Sequence, residues 1–401
     1  MKPNPLKWII AEDSLESRQG HWFEYLLGFQ RGLTKLGDQV TWLVSHRATS
    51  EILSSFGALP VLPESAFRKV SETGSLWRRY LRIPVHAWHT FFALKKYLNA
   101  NPGTDIIFVP TVIVHHLLGW FFLVKGVLSQ SQTHLLLFFP NLPIRLNETG
   151  SALDGSPTAH LTKLLLRGMK SEIKNGTVIL GVETHAMQEA AESVFGVPFT
   201  YFPHPVQPIE LAGHSSDLIT MACYGPARYE KGSDLLVSAI ERYLVRFPES
   251  KVQFVVQWID DFSLRDGSTA KFPSSLRNHP KVEIITRFFT EGEYEDRLAK
   301  TDLLLLPYRS SSYGLRVSRV VIEALVNGKP AIVTANTTMA QQVKEYGSGL
   351  TCADEQVESL INAISEAMLG LDAIAKASQE RQRRAVEHFS VEQFRNSLGK
   401  R

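Results

Sequence analysis

Hydrophobic and polar positions in the first half of the chain alternate between two patterns. Short apolar runs typical of buried strands are followed by longer stretches in which apolar residues recur every three to four positions, as on one face of a helix. The runs predict strands at 6–12, 39–45, 105–110, 133–140 and 177–182. The longer stretches predict helices at 21–36, 82–98, 112–128 and 159–174. Such alternation favours a parallel sheet covered by helices on both faces.

The pattern pauses at Phe202-Pro203-His204-Pro205-Val206 and then restarts. Strands are predicted at 218–225, 251–258, 282–288, 302–308 and 330–335, with helices at 232–246, 292–300 and 315–327 between them. We therefore predict an α/β protein of two doubly wound, Rossmann-like domains facing each other across a cleft. The predicted boundaries are 1–205, 206–383, and a closing helix at 384–401 that returns toward the first domain.

Amino-acid composition excludes only a few classes of protein. The chain has 401 residues, of which 44% are hydrophobic and 21% charged. Its net charge of +3 is too small by itself to argue for nucleic acid, and no nucleic-acid partner is expected. Two cysteines without a metal or redox spacing indicate a reducing compartment. The N-terminal apolar run is expected to be a strand, not a signal peptide, and 112–128 a buried helix, not a membrane span. The basic and aromatic segment 77–82 indicates a solvated helix face, or contact with an anionic membrane or acidic substrate.

Ligands of open parallel sheets bind beyond the carboxyl ends of the strands, so residues just after strands are the first candidates. The turn 225–234, GPARYEKGSD, follows the first strand of the second domain and carries Arg228 and Lys231 to a helix start. Two cations and unpaired backbone amides are what a diphosphate needs. The alternative is a surface loop in which Arg228 and Lys231 only face water, and the sequence pattern of the turn fits both interpretations equally.

The stretch 311–335, SSYGLRVSRVVIEALVNGKPAIVTA, follows the predicted strand 302–308. On a helix over 315–327, an apolar stripe forms one face, and Arg316, Arg319 and Glu323 lie on another. Gly314 allows close backbone approach, so amides, Ser318 and the two arginines can hold phosphates while Glu323 accepts hydrogen bonds from sugar hydroxyls. The alternative is an ordinary Arg319–Glu323 pair on an exposed face.

These segments together resemble a known family. Tyr229-Glu230-Lys231-Gly232, Pro307-Tyr308, Glu323-Ala324-Leu325, Gly328-Lys329-Pro330 and Gly347-x-Gly349-Leu350 look like the donor domain of GT-B glycosyltransferases, specifically the retaining group 1 (family 4) set. His388-Phe389-Ser390 is similar to that family's closing helix. Gly20-His21 and 37–41 are similar to its opening. No GxGxxG or Walker loop is present to favour a dinucleotide oxidoreductase or NTPase.

The resemblance implies a nucleoside-diphosphate sugar bound by the second domain and an acceptor, a glycan or a lipid-linked molecule, bound by the first. Arg228 and Lys231 would neutralise the diphosphate, helped by Gly314, Arg316, Ser318 and Arg319, and Glu323 would bind the ribose. Gly20 and His21 are further candidates. The family needs no metal or cofactor and retains the anomeric configuration. The resemblance implies a cytoplasmic protein, with peripheral contact to the inner membrane face as an option.

Several positions depart from the family pattern. Leu315 stands where the family normally has a glutamate that contacts the sugar, the first of two glutamates in an E-x7-E motif. Tyr313, Arg316 and Ser318 resemble a variant form of this motif. The family's donor-contacting histidine is replaced by Phe138–Asn141, so His116 is a candidate substitute, as are His115, His185 and His204. These departures leave two other hypotheses open. One is an isomerase or phosphorylase, and the other is a catalytically inactive scaffold or partner-binding subunit.

Overall fold

The structure is a computed structural model that describes residues 4–18, 21–66, 76–146, 152–153, 156–209, 217–290 and 292–399. Backbone contacts divide the chain into two units. Unit 1 comprises residues 1–205 and 391–401, and unit 2 comprises residues 206–390. Each unit is described by itself below.

Unit 1 is built on a parallel seven-stranded sheet with the order β3-β2-β1-β4-β5-β8-β9. Its strands, together with those of a small antiparallel pair (β6 and β7), are β1 Lys7–Glu12, β2 Gln39–Ser45, β3 Leu59–Leu62, β4 Ile106–Val109, β5 His134–Phe138, β6 Arg145–Leu146, β7 Ala152–Leu153, β8 Val178–Val182 and β9 Thr200–Tyr201. Its helices are α1 His21–Lys35, α2 Ser50–Phe56, α3 Leu76–Ala100, α4 Val114–Gly126, α5 Pro157–Gly168, α6 Lys170–Lys174 and α7 His185–Phe195, with a 3₁₀ turn at Leu128–Gln130.

Unit 2 repeats this architecture with a parallel six-stranded sheet of order β14-β11-β10-β15-β16-β17. Its strands, with the antiparallel pair β12 and β13, are β10 Ile219–Cys223, β11 Val252–Gln257, β12 Phe262–Ser263, β13 Thr269–Ala270, β14 Val282–Ile285, β15 Leu303–Leu306, β16 Ala331–Thr334 and β17 Gly349–Cys352. A 3₁₀ turn lies at Tyr229–Lys231. The helices of unit 2 are α8 Ser233–Arg246, α9 Ser274–Arg277, α10 Glu293–Ala299, α11 Ser310–Tyr313, α12 Arg319–Val326, α13 Thr338–Glu345 and α14 Val357–His388. The last helix of the chain, α15 Val391–Ser397, belongs to unit 1.

In both sheets the chain first builds outward on one side and then returns to build on the other. The reversal falls between β1 and β4 in unit 1 and between β10 and β15 in unit 2, which are adjacent parallel strands. This is the strand order of Rossmann-like domains, so the predicted α/β, doubly wound class is confirmed for both units. The central strands β4 and β15 are buried along their full length because helices cover both faces of each sheet.

The last helix, α15, completes the core of unit 1. Phe394 packs its ring against Phe29, Phe108 and Phe202 at centroid distances of 4.9, 5.4 and 4.8 Å. Next to it, Arg395 forms a buried two-pronged pair with Asp38, at 2.7 Å from Nε to Oδ2 and 3.0 Å from the second guanidinium nitrogen to Oδ1. A buried pair of this geometry fixes the register of two distant segments, because leaving either charge unpartnered costs several kcal/mol.

Several predicted elements have different limits in the structure. The single helix predicted at 159–174 is two helices, α5 and α6, which meet at Met169. The segment predicted as one closing helix, 384–401, contains the end of α14 and then α15. The helix predicted at 315–327 begins only at Arg319, and the four residues 310–313 before it form the separate turn of helix α11. None of the described helices is long and apolar enough to cross a membrane.

Candidate active site

The turn after β10 and the segment after β15 lie at the point where the strand order of unit 2 reverses. Helices leave adjacent strands in opposite directions there, which opens a crevice at the carboxyl edge of the sheet. Gly225 to Gly232 follows β10, and Tyr308 to Ser318 follows β15. Both predicted segments therefore belong to one edge of one sheet.

Two glycines let the turn after β10 fold tightly. Gly225 has a φ of +92°, and its amide donates to Oε1 of Gln257 at 2.6 Å. Gly232 has a φ of +61° and packs directly on the carbonyl oxygen of Pro307, where a Cβ would collide. A side chain at Gly232 would be strained and would also push β15 away from the turn, so this glycine joins the two halves of the site.

Lys231 is the best-placed cation of the site. Its side chain bends back over Gly225, and Nζ lies 5.9 Å from the ring centroid of Tyr308. Burial lowers the pKa of this amine. Acidic groups nearby are engaged elsewhere: Glu230 lies 3.6 Å from Arg228, and Asp234 pairs with Arg309 at 2.7 Å. Within the described ranges, no carboxylate pairs with Lys231. A half-buried amine of this kind is a natural partner for an anionic ligand.

Arg309 holds the site together, although the sequence analysis did not single it out. This buried guanidinium binds Asp234 through two bonds of 2.7 and 2.9 Å and Glu355 through Nε at 2.8 Å. It also stacks 3.7 Å over the ring of Tyr229 and donates to that residue's carbonyl oxygen. Its position directly after β15 was the available signal, since residues just after strands were the stated candidates.

A row of rings and cations links the two segments of the site. Tyr308 is buried and contacts Tyr313 at 4.7 Å between ring centroids. The guanidinium of Arg316 lies 5.2 Å over Tyr313, and in the part of the chain that the structure describes no carboxylate pairs with it. Burial raises the pKa of Tyr313, and the Arg316 and Arg228 charges act against that rise. Predicted residues Lys231, Tyr313 and Arg316 are thus brought together.

Glu323 lies in a buried hydrogen-bonded group, not on an open helix face. Oε1 accepts from Nε of Arg319 at 2.7 Å, and Oε2 accepts from the hydroxyl of Tyr294 at 2.6 Å. The side chain is 7% exposed. The Arg319–Glu323 pair named above as the alternative is present, but it does not lie on an exposed face, because α12 is buried on almost every side from Val321 to Val326. Arg319 points toward Glu323.

Ser318 is placed differently from the prediction. It is the residue before α12, and its hydroxyl accepts the amide hydrogen of Val321 at 3.4 Å. This cap explains why the helix begins at Arg319 and not at 315. Gly314 has ordinary right-handed helical angles, and its carbonyl oxygen accepts from Oγ1 of Thr338 at 3.1 Å. Residues 314–317 therefore connect two helices, and the row of amides expected at the start of a helix 315–327 is absent there.

Unit 1 has its own polar cluster where its strand order reverses. Asp13 follows β1, and its Oδ2 lies 3.1 Å from Nε2 of His86 on α3 and 2.9 Å from Nε2 of His116 on α4. All three side chains are buried. Gly119 lets the two helices approach closely enough for this contact, since a Cβ there would stand 3.1 Å from the carbonyl oxygen of Ala87.

The ligand atoms of Asp13, His86 and His116 lie within 4.8 Å of one another, the only such grouping of metal-binding residues found among the described residues. Hydrogen bonding favours a different use. The amide of Ile113 donates to Nδ1 of His116 at 3.3 Å, so Nε2 carries the proton and donates to Asp13. Burial lowers the pKa of His116, but the charge and hydrogen bond of Asp13 and the charge of Glu12 together raise it. The lone pair that accepts from Ile113 belongs to the neutral ring. A proton on Nε2 prevents metal coordination there.

Other predicted positions are less informative. Gly20 lies outside the described residues, and His21 and 77–82 are described only as backbone of α1 and α3. Arg228 is exposed beside Glu230. Of the other histidines, His185 is exposed, and His204 is buried with Nδ1 2.6 Å from Oε1 of Glu183.

Comparison with known proteins finds a family match, a relative in sequence and similar folds. Residues 212–384 match the family described as glycosyl transferases group 1. The chain carries a group 1 glycosyltransferase domain. A lipopolysaccharide core biosynthesis mannosyltransferase, LpsB of Rhizobium meliloti (strain 1021), is 22% identical over 375 residues, covering 91% of this chain and 92% of that protein.

Solved structures of similar fold extend over both units. A glycosyltransferase from Rickettsia africae ESF-5 matches with a TM-score of 0.65 and 12% identity, covering 99% of this chain and 98% of that one. HepE of Anabaena in complex with UDP matches with a TM-score of 0.63 and 13% identity over 98% and 99%. The GT-B fold class is therefore confirmed. The match of residues 212–384 gives glycosyl transfer as the general activity.

Proposed function

We propose that this group 1 glycosyltransferase moves a sugar from a nucleoside-diphosphate sugar to a glycan or lipid-linked acceptor, with retention of configuration and without a metal or resident cofactor. The observation that carries the proposal is Lys231, a half-buried amine whose acidic neighbours are all paired elsewhere. A diphosphate leaving group gains negative charge as the glycosidic bond breaks, and a fixed cation in a partly dry site stabilises that charge.

Other side chains at the same edge of the sheet have roles in donor binding that complement that of Lys231. Arg316 and Arg228 supply further positive charge at the same edge of the sheet. Glu323 is held by Arg319 and Tyr294 with each of its oxygens accepting one bond, which leaves further lone pairs for the ribose hydroxyls. Leu315 offers no carboxylate to the sugar. Similarity to HepE, whose structures hold UDP and UDP-glucose, supports a nucleotide donor.

A nucleotide panel tests the donor. Full-length chain is mixed with UDP, GDP, ADP or TDP, with EDTA present, and its thermal unfolding is followed. One nucleotide should stabilise the fold, by about 2.7 kcal/mol at a concentration 100 times its Kd. Lys231→Met should lose most of that shift, and Lys271→Met, which changes an exposed lysine of unit 2, should keep it. An equal shift in Lys231→Met would refute the role of Lys231. No shift with any nucleotide would instead favour the inactive scaffold.

Helix α3 supports a peripheral contact with an anionic membrane surface, such as the inner face of a cytoplasmic membrane where a lipid-linked acceptor resides. Over its length it carries five cations, Arg78, Arg79, Arg82, Lys95 and Lys96, and no carboxylate. Val85, Trp88 and Phe92, three and four positions apart, are exposed by 54%, 65% and 45%. Cations with an exposed aromatic stripe are typical of helices that lie in the interface of a bilayer.

Vesicle sedimentation measures this contact. Wild-type chain should sediment with vesicles containing phosphatidylglycerol and much less with pure phosphatidylcholine, because the attraction is partly electrostatic. Trp88→Ser with Phe92→Ser should lower binding about tenfold while leaving the nucleotide shift unchanged. Leu369→Ser, at an exposed apolar residue of unit 2, serves as the control. Equal binding to both kinds of vesicle would remove the membrane contact from the proposal.

A further inference from the structure

A small polar pocket lies at the carboxyl ends of β1 and β4 in unit 1, apart from every residue assigned to the donor. Its cavity volume is about 10 Å³, which is room for a single water molecule. Glu12 and Asp13 at the end of β1 line it, and its wall includes Thr111 after β4 and His116 and Trp120 of α4. This volume excludes every ligand larger than water or a single ion.

Asp13 is ionised at this pocket and fixed in orientation. Its Oδ2 accepts from the ring nitrogens of His86 and His116 and from the amide of Ala66, at 3.1, 2.9 and 3.1 Å. Burial works the other way, but His116 and His86 hold the pKa of Asp13 well below its usual range. The second oxygen, Oδ1, is buried and has no hydrogen-bond partner among the described residues. A buried carboxylate oxygen of this kind calls for a donor.

Glu12 is the second acid at the pocket, and it holds a proton up to neutral pH. Its side chain is 2% exposed, and burial raises the pKa of Glu12 to about 7, with the charge of Asp13 adding to the rise and Ser14 and His116 acting against it. Oε1 accepts from the amide and hydroxyl of Ser14, so the proton belongs on Oε2. Within the described ranges Oε2 has no partner either. Glu12 thus offers an O–H donor close to an acceptor that lacks one.

One water molecule satisfies both oxygens. Oε2 of Glu12 and Oδ1 of Asp13 do not bond to each other, yet both side chains line a space of one water. A water there accepts from Glu12 and donates to Asp13, and the hydroxyl of Thr111 is a third partner on the wall. Buried waters typically make about three such bonds. A metal ion fits less well, because the hydrogen on Nε2 of His116 points at Asp13.

We propose that Glu12 and Asp13 share one proton through a single buried water molecule. The proton resides on Oε2 of Glu12, and the water passes its hydrogen bond to Oδ1 of Asp13. Since His116 donates to Oδ2 and accepts from the amide of Ile113, the chain of hydrogen bonds runs from the end of β1 to the residue before α4. When Glu12 releases its proton to solvent, the water turns and donates to both carboxylates. None of these contacts depends on the sugar-transfer activity.

A crystal structure of the full chain, at a resolution that shows ordered water, tests the site directly. One density peak should lie about 2.5–3.0 Å from both Oε2 of Glu12 and Oδ1 of Asp13. No peak there, with other buried waters visible, would overturn the proposal. So would a peak about 2.0–2.2 Å from the Nε2 atoms of His86 and His116, because that is the spacing of a bound metal ion.

A matched pair of variants tests the water in solution. Relaxation dispersion of water oxygen-17 counts the waters that a protein holds for longer than its tumbling time. Glu12→Gln keeps a donor on a side chain of the same length and should keep the wild-type count, whereas Glu12→Met keeps the length without a donor and should hold one water fewer. Equal counts in the two variants would refute the bridge. A retained nucleotide shift shows that each variant is folded.

Carbon-13 NMR of the glutamate carboxyl groups measures the shared proton. The Glu12 signal, identified by its loss in Glu12→Gln, should titrate near pH 7 in wild type. In Asp13→Asn the midpoint should fall by at least about one pH unit, a tenfold loss of proton affinity. Asp105→Asn, whose Oδ2 accepts from the amide of Lys7 at the other end of the sheet, should leave it unchanged.

Two titration results would contradict the shared proton: a wild-type midpoint near the ordinary 4.5, or the same midpoint in Asp13→Asn as in wild type. If Asp13→Asn does not fold, the wild-type midpoint, the crystal structure and the Glu12 pair decide the proposal.

Discussion

The two units reverse their strand order in the same way, yet they leave opposite charges available at the reversal. In unit 2, Glu230 pairs with Arg228 and Asp234 pairs with Arg309. Lys231 and Arg316 have no carboxylate partner within the described ranges. In unit 1 both histidines are hydrogen-bonded to Asp13. Two carboxyl oxygens, Oδ1 of Asp13 and Oε2 of Glu12, have no hydrogen-bond partner in the described part of the chain.

We infer from this difference that the fold sets where a ligand binds and the local pairing of charges sets which ligand is favoured. A crevice with an unpaired cation favours phosphate, and a crevice with unpaired acceptors favours hydroxyl groups. The predictions below change one side of this contrast at a time.

The largest effect is expected from a cation that is already paired. Arg309→Met should lower the free energy of unfolding by about 3–5 kcal/mol, because it leaves Asp234 and Glu355 without their common partner. Arg316→Met, which removes a cation that has no carboxylate partner in the described chain, should change stability by less than about 1 kcal/mol. Urea denaturation of both variants measures the contrast, and equal losses would contradict it.

Removing the unpaired cation should affect the reaction and not the fold. Lys231→Ala is expected to lower sugar transfer about 100-fold or more, roughly 2.7 kcal/mol of transition-state stabilisation. Initial rates with the nucleotide sugar identified by the panel give the number, with Lys271→Ala as the matched change. Wild-type rates in Lys231→Ala would show that the diphosphate is neutralised elsewhere.

On the other side of the contrast, Glu12 should make unit 1 pH-sensitive. Burial, and then the charge of Asp13, raise the pKa of Glu12 to about 7 from an ordinary 4.5. The folded state therefore holds this proton more tightly than the unfolded state does. The resulting stability is fully present below pH 4.5 and is lost as pH rises through 7.

Between pH 5 and pH 8 this loss amounts to roughly 2 kcal/mol, and Glu12→Gln should remove it. His116, His86 and Asp13 face the same carboxyl group and remain in both proteins, so the difference between the two urea-denaturation curves isolates Glu12. Parallel pH dependences in wild type and Glu12→Gln would mean that Glu12 does not titrate in this range.

The smallest effect concerns Glu323. If it binds the ribose, the wild-type chain should prefer the chosen nucleoside diphosphate over its 2′,3′-dideoxy analogue by about tenfold, close to one hydrogen bond to a charged group. Glu323→Gln keeps the shape of the side chain and should shrink that preference to about twofold. Calorimetric titration gives both ratios, and an undiminished preference would place the ribose elsewhere.

Much of the fold was predictable because it depends on short-range periodicity. The strand predicted at 39–45 matches β2, and the helix predicted at 21–36 matches α1 within one residue. The Ser318 cap sets the start of α12, and distant contacts hold the segment before it: Ser310 binds Asp354, and Thr338 binds the carbonyl oxygen of Gly314. A single sequence does not show contacts 44 or 24 residues away.

The same limit applies to the sites. The segments around Lys231 and Arg316 were found because each follows a strand and carries cations. Arg309 and Asp13 also follow strands, but their importance lies in partners 75 and 73 residues away, Asp234 and His86. Burial of Glu323 was likewise hidden, since Tyr294 reaches it from another helix.

The central claim is that Lys231 is left unpaired so that it can bind a diphosphate. Calorimetric titration of wild type and Lys231→Met with the selected nucleoside diphosphate and with the corresponding nucleoside tests it directly. The account predicts that the wild type prefers the diphosphate by at least about 100-fold and that Lys231→Met loses most of this preference while binding the nucleoside unchanged. An equal preference in both proteins would contradict the claim.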